Sequence, residues 1–181
     1  MLAVRIRHTS LNDGAAIWQL IRDSGGLDLN SPYAYLLFSH YFADACIVAE
    51  AEDGLAGTVV GFKLPADPET IFVWQVAVSP AHRGKRLASH LLAAFVGGHV
   101  RDGGVRYLEA TVTPSNEASQ RTFRGLARDF DADCREGLLF PASVFPPDED
   151  HEDEHQFRIG PFSAEAQRRL GESAPPLTLE A

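Results

Sequence analysis

Apolar and polar residues alternate along this chain with two periods, one of two residues and one near 3.6, and the switches between them outline strands and helices. Positions 3–8 alternate as a strand, and Thr9, Ser10 and Asn12 offer N-cap side chains for a helix running through Leu20 and Ile21. Gly25 and Gly26 end it. Ser31 caps a second helix and Pro32 occupies its first position, where the missing proline N–H costs nothing; the spacing carries this helix to about Phe42. Residues 45–50 and 58–64 read as antiparallel strands joined through Asp53-Gly54, and 71–78 as a third, more buried strand. Pro80 and Gly84 mark a turn, and residues 87–100 return to helical spacing through Leu87, Leu91, Leu92, Phe95 and Val96. A strand at 107–113 follows, so strand, helix and strand together predict a right-handed crossover.

The C-terminal third is less regular. Pro114-Ser115-Asn116 turns into a helix from Glu117 to about Ala127, with weaker strand signals at 130–134 and 156–159. Residues 163–181 hold two prolines, mixed charges and few large apolar side chains, which predicts a disordered tail. The fold class is α/β (α+β): one mixed, mostly antiparallel twisted sheet with helices on both faces. One domain over residues 1–162 followed by the tail is the expected organisation.

Charge narrows the function. A net charge of −9 argues against a general nucleic-acid binder, which needs a broad basic face. The clustered cations Arg83, Lys85 and Arg86 fit one small polyanion better. No apolar run approaches the roughly 20 residues that span a bilayer and no signal-peptide core is seen, so a cytoplasmic protein is expected. Cys46 and Cys134 form no CxxC pattern and are expected to be free thiols.

The densest chemistry lies in residues 72–92, FVWQVAVSPAHRGKRLASHLL, where an apolar strand enters a basic glycine-containing turn and then an amphipathic helix. Such a junction aims backbone N–H groups and a helix N-terminus at one spot, a setting for pyrophosphate. Val76, Val78, Arg83, Gly84, Leu87 and Ala88 resemble the acyl-CoA motif of the GNAT N-acetyltransferase superfamily, a strand followed by Arg/Gln-x-x-Gly-x-Gly/Ala. Arg86 stands where that pattern has its first glycine. Its side chain either narrows the backbone's approach to phosphate or supplies another cation.

Three further stretches, Leu27-Asp28-Leu29-Asn30-Ser31-Pro32-Tyr33-Ala34-Tyr35, the strand at 72–78, and Thr111-Val112-Thr113-Pro114-Ser115-Asn116-Glu117-Ala118-Ser119, resemble the diaminobutyrate acetyltransferases of ectoine biosynthesis. The similarity spans roughly residues 3–162. It implies a GNAT fold and transfer of acetyl from acetyl-CoA, with no metal, to the γ-amine of L-2,4-diaminobutyrate by a cytoplasmic homodimer serving osmoadaptation. It also implies site residues: Asp28, Tyr33, Trp74, His151 and Glu154 around the diamine, with Glu154 or His151 taking the proton. For the coenzyme it implies Val76, Ala77, Val78, Arg83, Gly84, Lys85, Arg86, Leu87, Ala88, Asn116, Ser119 and Phe123. Each residue also has a plainer reading: Trp74 as core, Asp28 as a turn residue, Tyr33 as helix packing, Asn116 as a cap. Phe123 stands where many GNAT enzymes carry a tyrosine that protonates the departing thiolate, so that hydroxyl is missing here.

The substrate's chemistry agrees with this set. An alkyl ammonium with a pKa near 10 is only about 0.1% deprotonated near pH 7, so a proton acceptor or desolvation is needed. Direct attack within a ternary complex is expected, with the oxyanion held by backbone N–H groups of the strand at 74–78. Neither cysteine has a histidine-based constellation, so no acetyl-cysteine intermediate is expected. The acidic run at 148–155 also contains His151-Glu152-Asp153-Glu154-His155, a literal HExxH. Pro146 and Pro147 precede it and no apolar period flanks it, so the helix that zinc hydrolysis requires is not predicted. Two other functions stay open at this point: a GNAT enzyme for a different amine, and an acyl-CoA-binding regulatory module without turnover.

Overall fold

A computed structural model describes residues 4–147 and 150–173, so residues 1–3 (among them Ala3 of the first expected strand), Asp148, Glu149 and residues 174–181 lie outside the described residues. The described chain runs β1 (Arg5–His8), α1 (Gly14–Ser24), α2 (Pro32–Tyr41), β2 (Cys46–Ala51), β3 (Gly54–Leu64), β4 (Asp67–Val78), α3 (Leu87–Gly103), β5 (Tyr107–Val112), α4 (Glu117–Asp129), β6 (Cys134–Phe140), β7 (Glu154–Ile159) and α5 (Ala164–Ser173). The strands form one sheet in the order β1-β2-β3-β4-β5-β7-β6. All neighbours are antiparallel except β4 and β5, which the α3 crossover makes parallel.

The local signals act where the sequence places them. Ser31 Oγ accepts the Ala34 N–H with Pro32 at the start of α2, and Asn116 Oδ1 accepts the Ser119 N–H at 3.1 Å at the start of α4. Gly25, at φ 59°, ends α1. A short 3-10 turn precedes α1, with Ser10 donating from its amide and hydroxyl to Asp13 at 2.7 and 3.0 Å.

The helices divide between the two faces. One face holds Ile17, Leu20, Ile21 and Tyr35 of α1 and α2 against Val48, Val60 and Ala77. The other carries the larger core, with Leu87, Leu91, Leu92 and Phe95 of α3 and Phe123 of α4 over Ile47, Val59, Val73 and Phe157. Gly57 allows α3 to approach: a Cβ there would meet Leu91 at 2.7 Å and the Ala77 carbonyl at 3.0 Å. Arg7, buried under the β1 edge, bonds Asp13 bidentately at 2.8 Å and Glu50 at 2.6 Å. Burial alone would raise the Asp13 carboxyl, yet the bonds from Arg7 and Ser10 outweigh it and hold that group below its usual range.

Two sequence expectations are corrected. The strand expected at 130–134 lies instead at Cys134–Phe140, because Phe130 caps α4 and the true strand is an edge, exposed along nearly its whole length, with no burial period to read. Within the stretch expected to be disordered, Ala164–Ser173 forms α5, which packs along α3. Ala166 and Leu170, one helical turn apart, are its buried residues, with Leu170 fully enclosed.

Candidate active site

The site begins where β4 and β5 part. Their pairing runs from Thr70↔Tyr107 to Val73↔Ala110 and stops; β4 continues beside β3 to Val78 and β5 continues beside β7 to Val112. At the same level β4 bulges. Val60 pairs with Gln75 and Gly61 with Val73, which leaves Trp74 as the extra residue. Gly61 faces this bulge because a Cβ there would lie 2.3 Å from the Phe72 carbonyl oxygen.

The bulge changes which face each β4 side chain meets. Ile71 and Val73 before it, and Val76 and Val78 after it, all contact the α3-side core. Trp74 and Gln75 both turn to the α1–α2 face. The backbone pattern follows as well. Ser79 N–H donates to the Ala56 carbonyl, so the two-residue alternation turns Ala77 and Gln75 toward β3 and aims the Val76 and Val78 amides into the gap left by β5. Ala77, also expected in the cofactor set, has its side chain in the α1–α2 core, on the opposite face from Val76 and Val78.

A cleft of about 880 Å³ opens at the fork, and Asp28, Trp74, Asn116, His151 and Glu154 all line it. Trp74 stacks on Phe38 with ring centroids 4.6 Å apart. Glu154 is the first residue of β7, and its Oε2 is buried without a hydrogen-bond partner among the described residues. Burial pushes the Glu154 carboxyl above the usual glutamate value; the Thr111 hydroxyl and His151 only partly oppose this, and Asp28 and Glu152 reinforce it. His151 lies flat against Phe145 at 3.7 Å, donates from Nδ1 to the Glu152 carbonyl at 2.8 Å, and turns Nε2 toward Asp28 Oδ2 at 3.6 Å.

Sequence reasoning missed the residues that hold this cleft in shape. Gln75 Nε2 donates to the Asp28 carbonyl at 2.8 Å, its Oε1 accepts the Tyr35 hydroxyl at 3.0 Å, and that hydroxyl accepts the Asn30 N–H at 3.3 Å. Trp18 Nε1 adds a bond to the Asn30 carbonyl at 3.2 Å. Glu152 ties the opposite wall, accepting both the Ser115 hydroxyl and the Ser115 N–H. A polar residue in an otherwise apolar strand was the available signal for Gln75.

Tyr33 and Phe123 are not brought to the cleft. Tyr33 is 67% exposed: it stands two residues from the inward-facing Tyr35, about 200° around α2. Phe123, 2% exposed, packs on Phe157 inside the core with ring centroids 6.1 Å apart. His151 precedes β7 in irregular chain and His155 lies on it, so the HExxH residues share no helix face. The Cys46 thiol is pushed up to about 12 by burial, which withholds a nucleophilic thiolate.

At the basic turn, Arg83 donates to the Ser24 carbonyl at the end of α1, and Lys85 Nζ bonds the Ala81 carbonyl at 3.2 Å. Gly84 and Arg86 both adopt left-handed backbone, at φ 74° and 59°. Arg86 therefore keeps the conformation that the motif's glycine would supply, and its guanidinium reaches Asp129 at 2.9 Å. The first intrahelical bond of α3 runs from His90 N–H to the Arg86 carbonyl, which leaves the Leu87, Ala88 and Ser89 amides at the helix mouth. The Leu87 side chain itself is core, while Ala88 and Ser119 are half-buried.

Residues 15–127 match the model of the acetyltransferase (GNAT) family. The L-2,4-diaminobutyric acid acetyltransferase of Marinococcus halophilus is 47% identical over 154 residues, covering 85% of this chain and 88% of its own. That of Halalkalibacterium halodurans is 45% identical over 159 residues, covering 88% and 82%. The chain belongs to the diaminobutyrate acetyltransferases of the GNAT family. The solved diaminobutyrate acetyltransferase of Paenibacillus lautus, in complex with L-2,4-diaminobutyric acid and coenzyme A, superposes with a TM-score of 0.83 at 43% identity, over 90% of this chain and 98% of that one. Ard1 of Thermoplasma volcanium, at 16% identity and a TM-score of 0.71, shares the fold alone. The forked β4–β5 pair and the turn before α3 thus sit within the matched region of a GNAT acetyltransferase.

Proposed function

We propose that this chain transfers the acetyl group of acetyl-CoA to the γ-amine of L-2,4-diaminobutyrate, giving the N4-acetyl product. The observation that carries this reading is the meeting, in one cleft at the β4–β5 fork, of the Trp74 ring with Glu154, whose Oε2 has no partner among the described residues. The relatives' names and the Paenibacillus lautus complex support the same substrate and coenzyme.

In this mechanism the coenzyme's pyrophosphate lies at the mouth of α3, against the Leu87–Ser89 amides and the cations Arg83, Lys85 and Arg86. Its acyl arm enters the fork beside Val76 and Val78, with Asn116 on the facing wall. The diamine lies against Trp74, whose ring face attracts an ammonium by about 0.5–2 kcal/mol. Asp28, with His151 behind it, receives the second ammonium. Glu154 accepts a proton from the γ-ammonium, a task its elevated pKa suits near neutral pH. The freed amine attacks the thioester carbonyl, the C–N bond forms, and the Val76 amide stabilises the oxyanion. Collapse breaks the C–S bond; with no hydroxyl at Phe123, the thiolate takes its proton from solvent.

The reading further places the chain in ectoine biosynthesis and osmoadaptation, as a cytoplasmic homodimer; the family resemblance supports this placement, and equilibrium sedimentation tests the dimer. A thiol-release assay with acetyl-CoA and diaminobutyrate, ornithine, lysine or no amine tests the activity. Release that is fastest with diaminobutyrate, with acetyl on N4 by NMR, is expected. No release with any amine leaves only coenzyme binding and rejects the proposal.

A further inference from the structure

The cleft's charge is one-sided. Asp28, Glu109, Asp150, Glu152 and Glu154 all line it, and among the described residues no lysine or arginine does. Arg158 offsets one of the five by bonding Glu109, and its other arm points to Asp67 at 3.4 Å, away from the remaining four. Two residues of this wall, Ser115 and His151, spend their donors on the protein. Both the amide and the hydroxyl of Ser115 go to Glu152. Each His151 nitrogen faces a protein acceptor, Nδ1 the Glu152 carbonyl at 2.8 Å and Nε2 Asp28 at 3.6 Å. An anion entering this wall meets like charge without a compensating cation, whereas each ammonium of a diamine meets a carboxylate or the Trp74 ring.

We infer that the site recognises its acceptor through two ammonium groups and gains little from the carboxylate, so that it also acetylates short linear diamines carrying no carboxylate. 1,3-Diaminopropane keeps the three-carbon separation of the two nitrogens of L-2,4-diaminobutyrate and lacks only the carboxylate. This rests on the acetyl-transfer reading above and concerns what the cleft selects. The chemistry is unchanged: one nitrogen loses its proton to Glu154, a C–N bond forms as the thioester C–S bond breaks, and the products are N-acetyl-1,3-diaminopropane and the coenzyme thiol, protonated from solvent.

The full chain is assayed with acetyl-CoA and three acceptors: L-2,4-diaminobutyrate, 1,3-diaminopropane, and 4-aminobutyrate, which keeps the carboxylate and the reacting amine but loses the α-ammonium. Thiol release and mass spectrometry of the product are followed. The expected kcat/KM for 1,3-diaminopropane is within tenfold of that for diaminobutyrate and at least tenfold above that for 4-aminobutyrate. With diaminobutyrate active, a value outside either bound overturns the inference alone. Activity with 1,3-diaminopropane but not diaminobutyrate rejects the assigned substrate and leaves the inference standing. Silence with all three acceptors removes both.

Discussion

Gln75 and Asp28 lie 47 residues apart in the chain and are joined by a hydrogen bond of 2.8 Å from the Gln75 side chain to the Asp28 main-chain carbonyl. This bond exists because the β4 bulge turns Gln75 to the same face as Trp74, where Tyr35 closes the network. Gln75→Leu removes partners from two groups at once, at about 1–3 kcal/mol for each left unsatisfied. The expected result is a KM for the diamine raised about tenfold with acetyl-CoA affinity unchanged, read by steady-state kinetics and calorimetry. An unchanged KM shows that the Asp28 loop does not depend on this bond.

Glu154→Gln separates activity from stability. Loss of a proton acceptor lowers kcat by roughly 10²–10⁴-fold. The elevated pKa means that the protonated form favours folding below the unfolded-state value, and that this contribution is lost as pH rises through the folded-state value. At neutral pH the variant is therefore expected to be as stable as the parent or more so in urea unfolding. The parent's kcat should rise with pH through a pKa above the ordinary glutamate value. An unaltered pH–rate profile in the variant removes Glu154 from the role of base.

Arg86 has left-handed backbone at φ 59°, a conformation that costs a non-glycine residue about 1–2 kcal/mol. Its ion pair with Asp129 is exposed on both sides and offsets little of this. Arg86→Gly is expected to be more stable than Arg86→Ala by about 1 kcal/mol in chemical denaturation. Equal stabilities would locate the strain elsewhere.

Arg83 bonds the Ser24 carbonyl and stands at the phosphate end of the site. Arg83→Ala is expected to weaken acetyl-CoA binding by roughly tenfold to 100-fold, the range of a lost charge-assisted contact, with partial recovery in Arg83→Lys. Calorimetry with acetyl-CoA measures it, and unchanged affinity in Arg83→Ala rejects the phosphate role.

Leu170 is fully enclosed in the seam between α5 and α3. Leu170→Ala should cost about 2–5 kcal/mol, the range for emptying a packed leucine site. A loss under about 0.5 kcal/mol, measured by urea unfolding, would mean that α5 adds nothing to the fold.

Much of the architecture was legible because its signals are short-range. The Ser31-Pro32 helix start, the Asn116 cap, the apolar period of α3 and the glycine after α1 act within a few residues, and each stands where the sequence places it. The exposed edge β6 and the mostly polar α5 were misread for the opposite reason. Burial leaves no period along β6 and only two buried apolar side chains on α5, so nothing local marks either element.

By itself the sequence determined the order of most elements, the basic turn opening α3, and the family whose motifs it carries. Tertiary structure alone decided where β4 and β5 separate, that Trp74 is the bulged residue, that Gln75 faces Asp28, and that Phe123 belongs to the core while Tyr33 faces outward. The physical reason is that caps and periodicity are settled by neighbours along the chain. Strand register and burial, including that of the Glu154 carboxylate, instead depend on groups that meet only after distant segments have packed.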